Sequence, residues 1–318
     1  DRIFYRYGGN VMGRTPSAAD AGTMRDVFRR ARTFMHAEAR LLERLLFAVR
    51  FEGAPPAAVG ALIAAYQNPD GGLGHALEPD LRCPESQPLF VAVGLQALCE
   101  AGWRDPELAL RVCSFLETVS AESGFVAPLL PSALNSPRAS HWSSLWPAGI
   151  NPTAEICGWL HDQGVEHPWL TRATQACCDQ ILSDPPREGH ALLCAARLVE
   201  RLPDRELAGK LAERVAEVLP EASFFIPSAP VTIYGLTPLH FAPTPESPFR
   251  RFFTQEQIDG HLADLLARQQ PDGGWQVTWE PPEGQASRSE WRGRLTLEAL
   301  SWLAAYGWMD ASATTAGA

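Results

Sequence analysis

Three polar stretches of this chain gather acids, bases and indoles closely enough for proton-transfer chemistry. GHALEPDLRCPESQ (74–87) holds His75, Glu78, Asp80, Arg82 and Glu85. SPRASHWSSLWPAGIN (136–151) holds Arg138, His141, Trp142, Trp146 and Asn151. VTWEPPEGQASRSEWRGR (277–294) holds Trp279, Glu280, Glu283, Glu290, Trp291 and Arg292. Carboxylates, arginines and tryptophans collected over an apolar cavity suit a ligand site. Paired acids, one serving as acid and one as base, also suit glycoside chemistry. Each residue has a plainer use as well. Glu78 and Glu280 occupy matching places in a repeat, which fits a job in a turn. His141, beside Trp142, is the histidine best placed for chemistry, and a loop position also accounts for it.

A fourth stretch, NPTAE, runs from Asn151 to Glu155 and includes Thr153. Asn151 suits a helix N-cap, Pro152 the first helical position and Glu155 the first turn. There the helix dipole favours a carboxylate by about 0.3–1 kcal/mol. Capping accounts for these residues, and so does a place in a cavity wall.

The elements that must position these residues are helices. The 3.6-residue apolar pattern predicts them over 24–50, 56–66, 88–101, 105–119, 152–163, 167–182, 188–201, 204–218, 255–268 and 293–306. Pro106, Pro152 and Pro168 stand at first-turn positions, and Gly102, Gly164 and Gly307 stand just past helix ends. No stretch alternates well enough to propose a sheet. Residues 222–241 are β-branched and aromatic but broken by prolines, and read as a long loop.

The chain repeats itself. QNPDGGLGHALEPD (67–80) aligns without gaps on QQPDGGWQVTWEPP (269–282), and TAEICGWLHDQG (153–164) aligns on TLEALSWLAAYG (296–307). In the turns, Pro69 and Pro271 preset the second position, Asp70 and Asp272 bond the backbone ahead, and the glycines supply positive φ. Gln67 and Gln269, at helix ends, are expected to satisfy orphan carbonyls there. Trp159 and Trp302 recur at one helical position, as core or as an aromatic wall able to face a cation. Steps of about 50 residues fit a helical-hairpin repeat.

The sequence LLARQQPDGGW (265–275) resembles the QW motif of squalene–hopene cyclases, a repeat shared with protein-prenyltransferase β subunits. The chain also resembles a group of actinobacterial-type hypothetical proteins sometimes labelled prenyltransferase. The resemblance implies an all-α, single-domain (α/α)6 toroid over 24–308, with a leader at 1–23 and a tail at 309–318. It implies an isoprenoid-handling protein that takes an apolar prenyl-type small molecule into a central cavity. Of the cyclase pattern DCTAE, Thr153, Ala154 and Glu155 match, while Asn151 stands where the acid belongs. An amide cannot protonate an alkene. Under this resemblance Glu155 is the candidate acid, with His141 and Glu290 as partners. Asn151, Thr153, Trp142, Trp146, His75, Glu78, Asp80, Trp279, Trp291 and Arg292 are the candidate substrate contacts. The zinc ligands and the DDxxD motif of prenyltransferases are missing, and the eight histidines are scattered, so neither metal nor cofactor is expected.

Composition bounds the alternatives. A net charge of −10 argues against nucleic-acid binding. Seven cysteines without a CxxC pair fit a reducing, cytoplasmic setting without disulfides. No apolar run is long enough for a transmembrane segment, which leaves peripheral membrane contact open. A carbohydrate-active (α/α)6 barrel and a non-catalytic lipid- or peptide-binding toroid stand beside the isoprenoid reading. An apolar tunnel with one acid would favour isoprenoids; an open polar cleft with paired carboxylates would favour carbohydrates.

Overall fold

The structure, a computed structural model, describes residues 18–281 and 285–309, and over these it is all-α. The expected leader up to residue 17, the tail from 310 and Glu283 lie outside the described residues.

The helix expected over 24–50 is two helices, α1 (Ala18–Glu38) and α2 (Leu41–Phe51). The break falls at Arg40, whose backbone is extended. The buried Arg40 guanidinium turns inward to donate to both oxygens of Glu43, at 2.6 and 2.8 Å, and to the Leu77 carbonyl at 2.7 Å. An unbroken helix could not aim it there. α1 begins at Ala18, so residues 18–23 of the expected leader are helical. The remaining helices are α3 (Ala57–Ala64), α4 (Pro88–Ala101), α5 (Pro106–Val119), α6 (Ile150–Gln163), α7 (Pro168–Ser183), α8 (Gly189–Arg201), α9 (Arg205–Val218), α10 (Pro238–Phe241), α11 (Gln255–Ala267) and α12 (Gln285–Ala305). Caps match their punctuation. Asp105 accepts the Leu108 N–H before Pro106-led α5, and Gly102, Gly164 and Gly307 are left-handed. In α6 the regular helical backbone starts after Asn151, which is extended.

The helices pack in sequence. α2 meets α4, α4 meets α6, α6 meets α8, and α12 returns to α2. α10 lies between α8 and α12. It touches α8 and sets the His240 ring 4.8 Å from Trp302, and just past it Ala242 accepts from the Tyr306 hydroxyl. On the other side α5 meets α7 and α7 meets α9, while α1 packs on α12. The arrangement is compatible with an inner and an outer set of helices closing into a ring, and it brings the two distant repeat copies together, the Trp279 indole N–H of one donating to Asp80 of the other. The second copy also packs on α1: Gln269 donates to the Val27 carbonyl, and Gly273 lies against the Arg30 carbonyl. Among the described residues no helix is long and apolar enough to cross a membrane.

The repeated turns do what their letters predict. Gly71 N–H bonds Asn68 O and Gly273 N–H bonds Gln270 O, both at 2.9 Å, with φ of 91° and 95°. Asp70 and Asp272 accept from Gly72 and Gly274 N–H. Gln67 and Gln269 differ from expectation. They serve the turn's own carbonyl, Gly71 or Gly273, and reach across to Leu108 or Val27, so each amide ties its turn to the next helix. A third turn of the same build spans Ala121 to Phe125. Gly124 has φ 93° and bonds Ala121 O, and Ala121 N–H bonds Phe125 O. After it, Val126 N–H donates to Thr153 Oγ1, as Trp275 N–H donates to Thr296 Oγ1. The hydroxyl recurring in 153–164 and 296–307 thus anchors the chain leaving a turn.

The 222–241 segment is more ordered than a plain loop. Leu236 exchanges backbone bonds with Phe224 and Ile226, Ser223 pairs with Gly189, and α10 follows.

Candidate functional site

Inside the helices lies a cavity of about 660 Å³. Its wall carries Glu78, Asp80, His141, Trp142, Trp146, Asn151, Glu155, Trp279 and Trp291 from the expected set. It also carries residues that were not singled out, chief among them Glu188, His190, Tyr234 and Arg197.

The acids cluster where two loops cross the start of α12. Asp80 O accepts from Ala139 N–H and Pro137 O accepts from Arg82 N–H, both at 2.8 Å, so 78–82 is pinned to 137–142. The Ser287 hydroxyl donates to Pro79 O at 2.7 Å. α12 starts two turns earlier than expected, and that extension carries Ser287 and Trp291 to this corner. Asp80 is almost wholly buried. Its two oxygens accept from the indole N–H of Trp291 at 2.8 Å and of Trp279 at 3.2 Å. His141 Nε2 lies 3.6 Å away. Glu78 Oε2 accepts the Asp80 N–H at 2.8 Å. Burial, then the neighbouring Asp80 charge, push the Glu78 carboxyl well above its ordinary range, against Arg40 and Arg82. Burial also raises Asp80, although the indoles and His141 pull the other way. For His141, burial outweighs Asp80 and holds the imidazole below its ordinary value. A buried carboxyl with a second carboxyl two residues on favours keeping its proton.

The N-terminus of α8 organises a second set. Both Glu188 oxygens cap the helix, accepting from His190 and Ala191 N–H at 3.0 Å. One of them also meets His190 Nδ1, and His190 Nε2 sits 2.7 Å from the Tyr234 hydroxyl. Burial works against the Glu188 charge, but His190 and the helix N–H groups hold it below the usual carboxylate range. Tyr234 is pushed up to about 12 by burial, then by the Glu188 and Asp80 carboxylates. Its ring meets Trp279 edge-on at 5.4 Å, which joins this set to the acid corner.

The floor is ionic. Glu155 is paired with Arg197, and Arg294 binds Glu100 through two 2.6 Å contacts and Glu298 at 3.0 Å. Glu155 and Glu298 hold equal places in the repeat, and each has an arginine. Burial opposes the Arg197 charge, and Glu155 more than offsets it, leaving the guanidinium above its ordinary value. A smaller chamber of about 220 Å³ shares Arg197, His240, Arg294, Glu298 and Trp302 with the main cavity.

Several expected residues have other jobs. Glu290 lies off the cavity and pairs with Arg82 at 3.0 Å. Thr153 is fully buried and holds Val126, as described above. His75 is exposed at a left-handed φ of 58° and is not part of the cavity wall. Arg292 grips both oxygens of Asp272 at 2.8 Å and lies over the Phe34 ring. Glu280 is solvent-exposed although its repeat partner Glu78 is buried. Trp302 lines the main cavity, whereas Trp159 is buried under Arg201, 3.8 Å above its ring. Glu155 lines the cavity with Arg197 as its partner.

The residues missed left a faint signal. Glu188, directly before α8, reads as an N-cap, and Tyr234 sits in a segment that reads as loop. No protein-family model matches the chain, and comparison with curated proteins gives no match.

Proposed function

We propose that the cavity is the active site of an acid–base enzyme acting on a polyhydroxylated, carbohydrate-type substrate. The observation that carries this reading is the buried Glu78–Asp80 pair, opening among Trp142, Trp279 and Trp291. In it the pair supplies the proton taken up by a leaving glycosidic oxygen, and the indole faces seat sugar rings. The volume falls in the usual range for small-molecule sites, about 300–1,000 Å³. The ionic pairs among Arg40, Glu43, Glu155, Arg197, Arg294 and Glu298, set in an otherwise largely apolar wall, support a polar substrate over the prenyl hydrocarbon that the repeat resemblance implies. The buried Trp142 indole N–H in that wall has no partner among the described residues, and a hydrocarbon would leave it unmet at about 1–3 kcal/mol. A hydroxyl would meet it. One observation favours the isoprenoid reading instead: a protonated acid beside indole faces also suits alkene protonation followed by cation stabilisation.

A panel of p-nitrophenyl glycosides and unlabelled oligosaccharides, set beside geranylgeranyl diphosphate, separates the two readings. Turnover of a glycoside, lost at least 100-fold in Glu78→Gln and declining with rising pH as the acid loses its proton, is the expected result. Turnover of the diphosphate alone would replace this reading with the isoprenoid one.

A further inference from the structure

We infer that Glu188, His190 and Tyr234 form a proton relay that ends at the Tyr234 hydroxyl, the base that complements the acid corner. The inference rests on the cavity being an active site and leaves the substrate open.

The directions of the hydrogen bonds follow from chemistry. An ionised carboxylate only accepts, so His190 Nδ1 must donate to Glu188. In the neutral ring Nε2 is then the acceptor, and the 2.7 Å contact makes the Tyr234 O–H the donor. The phenol oxygen thus keeps its lone pairs for an incoming proton. All three residues line the cavity. Glu188 is fixed by two backbone N–H groups of α8, so the Glu188–His190 end of the relay is anchored to a helix terminus. The His190 and Tyr234 rings lie nearly parallel, centroids 5.7 Å apart, and Phe224 packs on both. The charged and titratable groups that Tyr234 senses are Glu188, Asp80, Glu298 and Glu78. Being a raised phenol, it gains from a partner that takes its proton in the same step.

The step balances. A water oxygen bonds the reacting carbon as the bond to the leaving oxygen breaks. The water proton passes to Tyr234 Oη, and the phenol proton passes to His190 Nε2. The imidazolium formed faces the Glu188 carboxylate. The leaving oxygen takes its proton from the Glu78–Asp80 pair, and exchange with solvent through the cavity restores both groups.

p-Nitrophenyl acetate tests the relay without the natural substrate. Tyr234 Oη attacks the ester carbonyl, nitrophenolate leaves, and the phenol proton goes to His190. The expected result is acetylation at Tyr234, located by peptide mass spectrometry, with a nitrophenolate burst at least tenfold faster than in His190→Gln. An unlabelled Tyr234, or equal rates in the two proteins, would overturn the relay. Tyr234→Phe keeps the ring, so an unchanged unfolding midpoint with the burst abolished separates chemistry from folding. Labelling without turnover of any glycoside in the panel would leave the relay standing and remove the carbohydrate reading. A glycoside turned over equally by Tyr234→Phe would keep that reading and remove the relay.

Discussion

Glu78 combines burial with a like-charged neighbour, and this has a consequence for stability. Burial, and then Asp80, raise its carboxyl in the folded chain. A raised acid binds its proton more tightly folded than unfolded. Its contribution is therefore most favourable below the unfolded value, about 4.3 for glutamate, and declines as pH rises toward the folded value. Asp80, also raised, acts in the same direction. Glu78→Gln keeps an oxygen for the Asp80 N–H but removes the charge. The variant should gain on the natural protein as pH goes from 5 to 8, read as a widening difference in unfolding midpoint. A difference that stays constant with pH would show that Glu78 is not raised. The arginine-paired acids contrast with it. Glu155 meets Arg197 and Glu298 meets Arg294, so the same residue type faces a guanidinium at the floor and a second buried carboxyl at the corner.

At the scale of elements, the turn glycines set how closely neighbouring hairpins approach. Gly273 has φ 95°, and a Cβ built there would lie 2.2 Å from the Arg30 carbonyl oxygen of α1. Gly102, with φ 68° just past α4, has nothing within 4 Å of the same atom. Gly102→Ala thus adds only left-handed strain, about 1 kcal/mol. Gly273→Ala adds a clash with a backbone that must move, for a total of about 2–4 kcal/mol. Urea denaturation of the two variants measures this; equal losses would mean that the α1 contact is soft. The same reasoning explains why the third turn, at 121–125, keeps the first glycine of the Gly-Gly pair and has Phe125 in place of the second. Gly124 has φ 93° and presses on Ala173 of α7, while its proline and aspartate positions carry Glu122 and Ser123.

At the scale of the molecule, the packing of α1 on α12 joins residues far apart in sequence. Helix α1 stands at one end of the described chain, and terminal helices ordinarily fray. Here its interior residues Val27, Ala31, Phe34 and Met35 are buried, and Gln269 binds its backbone at Val27. Native-state hydrogen exchange should find the amides of 27–35 protected within about tenfold of those in the middle of α12. Exchange in α1 several orders of magnitude faster would mean that the two ends merely touch.

Much of this was legible in sequence, for a local reason. Helix spans follow from apolar periodicity and from prolines and glycines that act within a turn of themselves, which is why 88–101 and 105–119 fall within a residue of α4 and α5. The Pro-Asp-Gly-Gly turns also carry their geometry in their own letters, and their recurrence joined the two ends before any coordinates. What the sequence could not decide were matters of direction across space. Glu78 and Glu280 match letter for letter, yet one is buried against Asp80 and the other faces solvent. Arg40 breaks a helix because its partners include a carbonyl far along the chain. Tyr234 joins Glu188 and His190 only when the 222–241 segment folds back on α8, and Asp80 acquires its indoles only when α12 and the segment before it arrive. Burial and charge partners are set by the whole packing, and they decide which of many similar carboxylates is an acid.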